Sequence, residues 1–364
     1  MAKAKYKTAS GSGSAGTLRA HSERLRGTMT KRRGAGDEDW LEALRDSLQM
    51  AVTLEFATVP PYLSALWSIK HELDPVAVSI REIVQQEMLH MGLAANMLAS
   101  IGGVPKITAA VPAYPTGLPG GVHEGLTVKL AGLSKAILED FMWIERPVEA
   151  IPDTSPHHAE EGGVVPDRPG DETIGEFYDC IKAAFVRHQP KMSLDHQITG
   201  PLAWKAVATV KDVEDAIELI QTQGEGSSTK PVNDRGSLSH YYRFQEAYEG
   251  YQLIWKPAKK VLEHGDPIPF PEVWPMAPVP KGGYQEAAVS AEVWHLVDKF
   301  DDTFTLLLNQ IQKAWTEPGG QAYFIRAIAT MFELERYAKP LMRIPIPKDK
   351  QGRTYGPCFR YKGE

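Results

Sequence analysis

A carboxylate stands where a helix ought to be dry. Counted by helical period, Ile80, Val84, Glu87, Met91, Ala94 and Leu98 share one face, and that face is otherwise apolar enough to be buried. His90 follows Glu87 by three residues and lies one turn along on the same side. An ionised carboxylate in an apolar stripe is costly unless it is paired or bound to a metal. A Glu-x-x-His pair facing inward is what carboxylate-bridged di-metal sites take from one helix of a bundle. Such pairs also arise by chance, so the reading depends on partners at the same level.

The preceding helix supplies one. From Asp37 onward, Leu44, Leu48, Ala51, Glu55, Val59 and Tyr62 form one face, and Glu55 repeats the anomaly. Pro60 and Pro61 follow at once, and Pro60 cannot donate to the carbonyl of Phe56, so a kink or break is expected there. The second helix opens at Asp74-Pro75, an N-cap with proline at the first helical position, and closes at Gly102-Gly103. Glu55 and the Glu87/His90 pair lie similar distances from the intervening turn. An antiparallel hairpin therefore brings them level.

The rest of the chain reads as helices separated by long loops. Residues 1–36 carry nine Lys/Arg against the single acid Glu23 and read as a disordered basic tail. A Pro- and Gly-rich crossover runs from Val104 to about Leu126. A third helix follows along Leu130, Leu133, Ile137, Phe141 and Ile144 and stops at Glu145-Arg146-Pro147. His157 and His158 read as exposed loop. Thr173 and Glu176 form a capping box, which explains Glu176 without a ligand role. One more helix ends at Gly224-Glu225-Gly226, and the next runs from about Ser237, including His240, to Tyr251. If these helices alternate in direction, Glu145, Glu225 and His240 gather at a common level. Residues 37–264 then make a metal-binding bundle, 265–287 a Pro-rich linker, and 288–364 a helical hairpin and tail packed on the bundle. A second Glu-x-x-His, Glu292 and His295, sits beside its stripe and is held as a reserve. No strand pattern, phosphate loop or nucleophile elbow is visible. The fold class is all-α.

Composition narrows the function classes. The net charge of −6 gives no overall preference for nucleic acid. Only Cys180 and Cys358 are present, which excludes a cysteine-rich zinc or iron–sulfur site and suits a reducing interior. No apolar run approaches a membrane span, so the expectation is cytoplasmic with no membrane partner.

Several stretches taken together carry a family resemblance. They are Leu54-Glu55-Phe-Ala-Thr-Val-Pro-Pro-Tyr-Leu, Gln86-Glu87-Met-Leu-His90-Met-Gly-Leu-Ala-Ala-Asn, Phe141-Met-Trp-Ile-Glu145-Arg-Pro, Thr173-Ile-Gly-Glu-Phe-Tyr, Gln223-Gly-Glu225-Gly and His240-Tyr-Tyr-Arg-Phe. Over roughly residues 40 to 255 the chain resembles the ferritin-like domain of the iminophenylpyruvate dimer synthases. Those enzymes couple oxidised aromatic amino acids in violacein- and rebeccamycin-type pathways and are longer chains. The resemblance implies a ferritin-like bundle with a long crossover and additional C-terminal helices. It also implies an iron site drawn from Glu55, Glu87, His90, Glu145, Glu225 and His240.

The leading expectation is a non-haem iron oxidoreductase of specialised metabolism, di-iron or mononuclear, with manganese as the alternative metal. Its partners would be dioxygen and a small substrate derived from an aromatic amino acid; a homo-oligomer is left open. The alternatives are iron storage or ferroxidase activity, and a non-catalytic ferritin-like metal-binding module. A storage subunit is a bare four-helix bundle, and this chain is about twice that size.

Overall fold

The computed structural model describes residues 16–363 apart from 31–36, 124, 148–171, 201–203, 227–230 and 234–235. The His157-His158 pair lies outside the described residues. In chain order the helices are α1 (Leu18–Thr30), α2 (Asp37–Ser68), α3 (Pro75–Ser100), α4 (Lys135–Ile144), α5 (Ile174–His188), α6 (Val210–Gln223) and α7 (His240–Glu249). Strands β1 (Tyr251–Lys256) and β2 (Val261–Pro267) follow, then α8 (Ala291–Thr316) and α9 (Gly320–Leu341).

The result is an all-helical bundle with two unlike halves. One half is the hairpin of the long helices α2 and α3. The other is built from short helices, α4 packed on α7 and α5 packed on α6, with α2 touching α5 and α3 touching both α6 and α7. Between the halves, Tyr62 of α2, Phe141 of α4 and Phe244 of α7 meet with ring centroids 4.5 to 5.2 Å apart. Helices α8 and α9 form the additional C-terminal hairpin, and α9 reaches α2. No helix among the described residues is long and apolar enough to cross a membrane.

Four expectations are corrected. Residues 18–30, read as part of a structureless tail, are helix α1. Leu18 and Leu25 are fully buried against α2 and α5, and the helix is tied down by Arg24–Asp46 at 2.6 Å and Arg26–Glu172 at 3.0 Å.

Helix α2 is not broken at Pro60-Pro61; it continues through both to Ser68. Pro61 cannot donate to the carbonyl of Ala57, and the Tyr114 hydroxyl from the crossover donates to that oxygen instead, at 2.6 Å. A buried acceptor is thus satisfied from outside the helix, which removes much of the penalty of an internal proline.

The third helix begins later than its apolar residues suggest. Ser134 caps it, accepting from the amide of Ile137. Leu130 and Leu133 are buried as extended chain ahead of it, with the Leu130 carbonyl accepting from Val279 N–H.

Finally, the chain does contain strands. Gly250, at φ 86°, ends α7, a left-handed conformation that costs glycine little. The following residues pair antiparallel, Leu253 opposite His264 and Trp255 opposite Leu262. The period-two signal was present in Tyr251, Leu253 and Trp255. It is too short to stand out beside the helix that ends at Glu249.

Candidate metal centre

The two halves of the bundle meet at a buried cluster of acids and imidazoles. Helix α2 presents Glu55, and α3 presents Glu87 and His90, as the hairpin register required. The other side is made of helix ends. Glu145 is the C-terminal cap of α4, Glu225 lies just past the end of α6, and His240 is the first residue of α7. All six are buried, none exposed by more than 7%.

His90 Nδ1 lies 3.6 Å from Glu55 Oε2 and 3.5 Å from Glu87 Oε1. His240 Nδ1 lies 2.9 Å from Glu87 Oε1 and 3.5 Å from Glu145 Oε2. Two groups result, Glu55/Glu87/His90 and Glu87/Glu145/His240, each offering ligand atoms within 4.8 Å of one another. Glu87 belongs to both. Glu225 belongs to neither, although it borders the same cavity. The reserve pair, Glu292 and His295, is exposed on α8 and takes no part.

Each carboxylate is held by one oxygen from behind. The Tyr178 hydroxyl donates to Glu55 Oε1, that of Thr58 to Glu87 Oε2 and that of Tyr62 to Glu145 Oε1, each at 2.6 Å. For these three the remaining oxygen faces an imidazole. Glu225 Oε1 accepts from the Gly175 amide at 3.0 Å, in the first turn of α5, where a helix N-terminus favours an anion.

The imidazoles are set the same way. Glutamine carbonyl oxygens accept from both: His90 Nε2–H donates to Gln223 Oε1 at 2.9 Å, and His240 Nε2–H donates to Gln86 Oε1 at 2.8 Å. An amide oxygen only accepts, so each Nε2 carries the proton and each Nδ1 can turn its lone pair to the carboxylates. His240 Nδ1 makes no hydrogen bond despite its closeness to Glu87. A buried nitrogen without a bond, aimed at carboxylate oxygens, is suited to a shared cation.

The electrostatics follow from burial and neighbours. Burial alone would lower the His90 pKa, but Glu55 and Glu87 reverse this and raise it to about 10. His240 is raised for the same reason by Glu145 and Glu87, against the pull of burial. Burial would raise Glu87, yet the two imidazoles bring it well below the ordinary carboxylate range. Glu55 is raised, chiefly by burial. Burial pushes Glu225 up to about 8 despite its bond to Gly175. A divalent cation and these protons compete for the same lone pairs. Carboxylate oxygens with imidazole nitrogens make a donor set suited to iron or manganese.

Thr58, Tyr62, Tyr178, Gln86, Gln223 and Gly175 complete the site, and sequence reasoning missed their roles. Some signal existed: Thr58 and Tyr62 follow Glu55 at steps of three and seven, and Gln86 adjoins Glu87. The glutamines are cross-strapped, each lying on one half of the bundle while holding the histidine of the other. Replacing Gln223 with leucine should therefore weaken metal binding at the Glu55/Glu87/His90 group about 10–100-fold. Titrating metal-free protein with Mn(II) or Co(II) by calorimetry measures this. Unchanged affinity would show that the amide is not needed to orient His90.

A cavity of about 20 Å³ lies beside the cluster, walled by Leu54, Ile174 and Ile220. It holds little more than a water molecule.

Comparison with known proteins agrees with the bundle. No curated protein matches the chain. A solved structure described as a ferritin-like protein from Caulobacter vibrioides aligns over 86% of this chain and 96% of its own, with a TM-score of 0.53 and 17% identity. At that identity the likeness speaks to fold alone. The family described as Ferritin-like matches residues 48–249, the stretch that contains every candidate ligand. With that match covering more than half of its length, the chain belongs to the ferritin-like family.

Proposed function

We propose that the protein is a non-haem iron oxidoreductase with a two-metal centre. Glu55, Glu87 and His90 would hold one ion and Glu87, Glu145 and His240 the other, with Glu225 at the edge of the same cavity. The observation that carries this is the position of Glu87 Oε1, within 3.5 Å of both inward-facing imidazoles. Iron bound there would supply electron transfer to dioxygen. The chain's own residues bury the donors, hold each carboxylate by one oxygen, and fix both imidazoles through Gln86 and Gln223.

The resemblance to iminophenylpyruvate dimer synthases supports a small substrate derived from an aromatic amino acid. A second reading, oxidation of ferrous iron itself, is favoured by the small cavity at the cluster, about 20 Å³.

Metal analysis followed by anaerobic loading and oxygen addition tests both. Purified protein should carry iron or manganese at about one to two atoms per chain. An oxidoreductase should consume oxygen catalytically when an aromatic amino acid or its imino acid is added. Stoichiometric oxidation of ferrous iron, indifferent to every such substrate, supports the ferroxidase reading instead. Protein that binds neither metal contradicts both.

A further inference from the structure

The outer face of α9 is apolar and meets no other element among the described residues. Ala322, Ile325, Ala329, Phe332 and Arg336 follow one another at alternating steps of three and four, and all are exposed, Ile325 to 60% and Phe332 to 68%. This is the spacing of a coiled-coil seam. The same helix already buries Phe324, Ala327, Leu334 and Ala338 on its inner side. A second apolar stripe facing solvent is the mark of an interaction surface.

We propose that this face pairs with the same face of a second copy of the chain, as antiparallel helices about a twofold axis. The charges select that occupant. Arg326 and Glu333 are exposed beside the stripe, each one position after a seam residue. In an antiparallel pair such flanking positions face their counterparts on the other helix. Setting Phe332 of each copy against Ala329 of the other places Arg326 opposite Glu333 twice, by symmetry. Ile325 then lies along the aliphatic stem of Arg336. Sliding one heptad brings Arg326 against Arg326, and a parallel pair sets no opposite charges across the seam. Large against small at the centre and opposite charges at the flanks thus agree on one register. Within its own helix Glu333 has only an ion pair with Arg336 at 3.7 Å, which a closer partner can replace.

Two single helices cover less than the roughly 800 Å² per partner of a standard interface, so a dissociation constant on the order of micromolar is expected. Sedimentation of the full chain from about 1 to 100 µM should show a rise toward twice the chain mass. Arg326→Glu and Glu333→Arg, each alone, place like charges at both flanks and should weaken the dimer at least ~10-fold. The double swap should restore it, and Phe332→Glu should leave monomer. All three residues are exposed, and far-UV circular dichroism matching wild type confirms that each variant folds. A chain that stays monomeric throughout the range overturns the proposal. So does a dimer that survives either single charge swap.

Discussion

Replacing Glu87 with alanine should abolish metal binding at both groups at once, whereas Glu55→Ala or Glu145→Ala should each spare one. The difference follows from sharing. Glu87 Oε1 faces His90 and His240 together, while Glu55 and Glu145 each face one imidazole. Without Glu87, each group keeps one carboxylate and one histidine, too few donors to hold a divalent ion in competition with water. Metal content per chain, measured after equilibration and desalting, should fall from the wild-type value to near zero for Glu87→Ala. It should fall to about half for either flanking variant. A Glu87→Ala protein that retains half its metal would show that the carboxylate serves only one ion. Glu87→Gln keeps the shape and the acceptor for Thr58 but removes the charge, so it separates loss of ligation from loss of packing.

The second large effect lies outside the site. Asp301 of α8 is fully buried and accepts from Arg360 in the C-terminal tail, from Nε at 2.6 Å and from the backbone amide at 3.1 Å. The Arg360 side chain is itself only 10% exposed. Asp301→Ala leaves that guanidinium buried without its counter-charge, and the expected loss is about 3–5 kcal/mol of stability. Chemical denaturation of wild type and variant measures it; a loss below about 1 kcal/mol would mean that water reaches Arg360. The pH dependence has a defined sign. Burial outweighs the guanidinium and holds the Asp301 carboxyl at about 6, above the ordinary aspartate range. Folding therefore favours the protonated form, and this group's contribution, fullest below the unfolded value, is lost as pH rises through about 6. The stability gap between wild type and variant should widen as the pH is lowered from 7 toward 5.

The unequal legibility of the two half-sites has a physical reason. Glu55, Glu87 and His90 lie in the middle of long helices, where the apolar stripe makes a carboxylate conspicuous and helix length fixes its height. Glu145, Glu225 and His240 lie at helix ends, where no period runs and polar residues are ordinary. For them only a loose topological argument and the family resemblance pointed inward. The supporting glutamines were hidden for another reason: each belongs to the opposite half, so its role exists only after the bundle closes. Helix α1 was missed because its Leu18, Ser22, Leu25 and Met29 rhythm was averaged into a basic segment. The Glu292/His295 pair shows the converse, a motif correct in spacing but set on an exposed face.

The uneven construction of the bundle has a consequence for how the chain assembles. Glu55, Glu87 and His90 come from adjacent helices joined by a short turn, so their meeting closes a small loop and is fast. Bringing Glu145, Glu225 and His240 to the same place requires three helix ends to dock across much longer stretches of chain, and that is slower. A metal ion captured first by the α2–α3 hairpin would offer the later elements a charged target. Refolding in the presence of metal should then accelerate the slow phase, with the ion acting as a template for the half of the protein that arrives last.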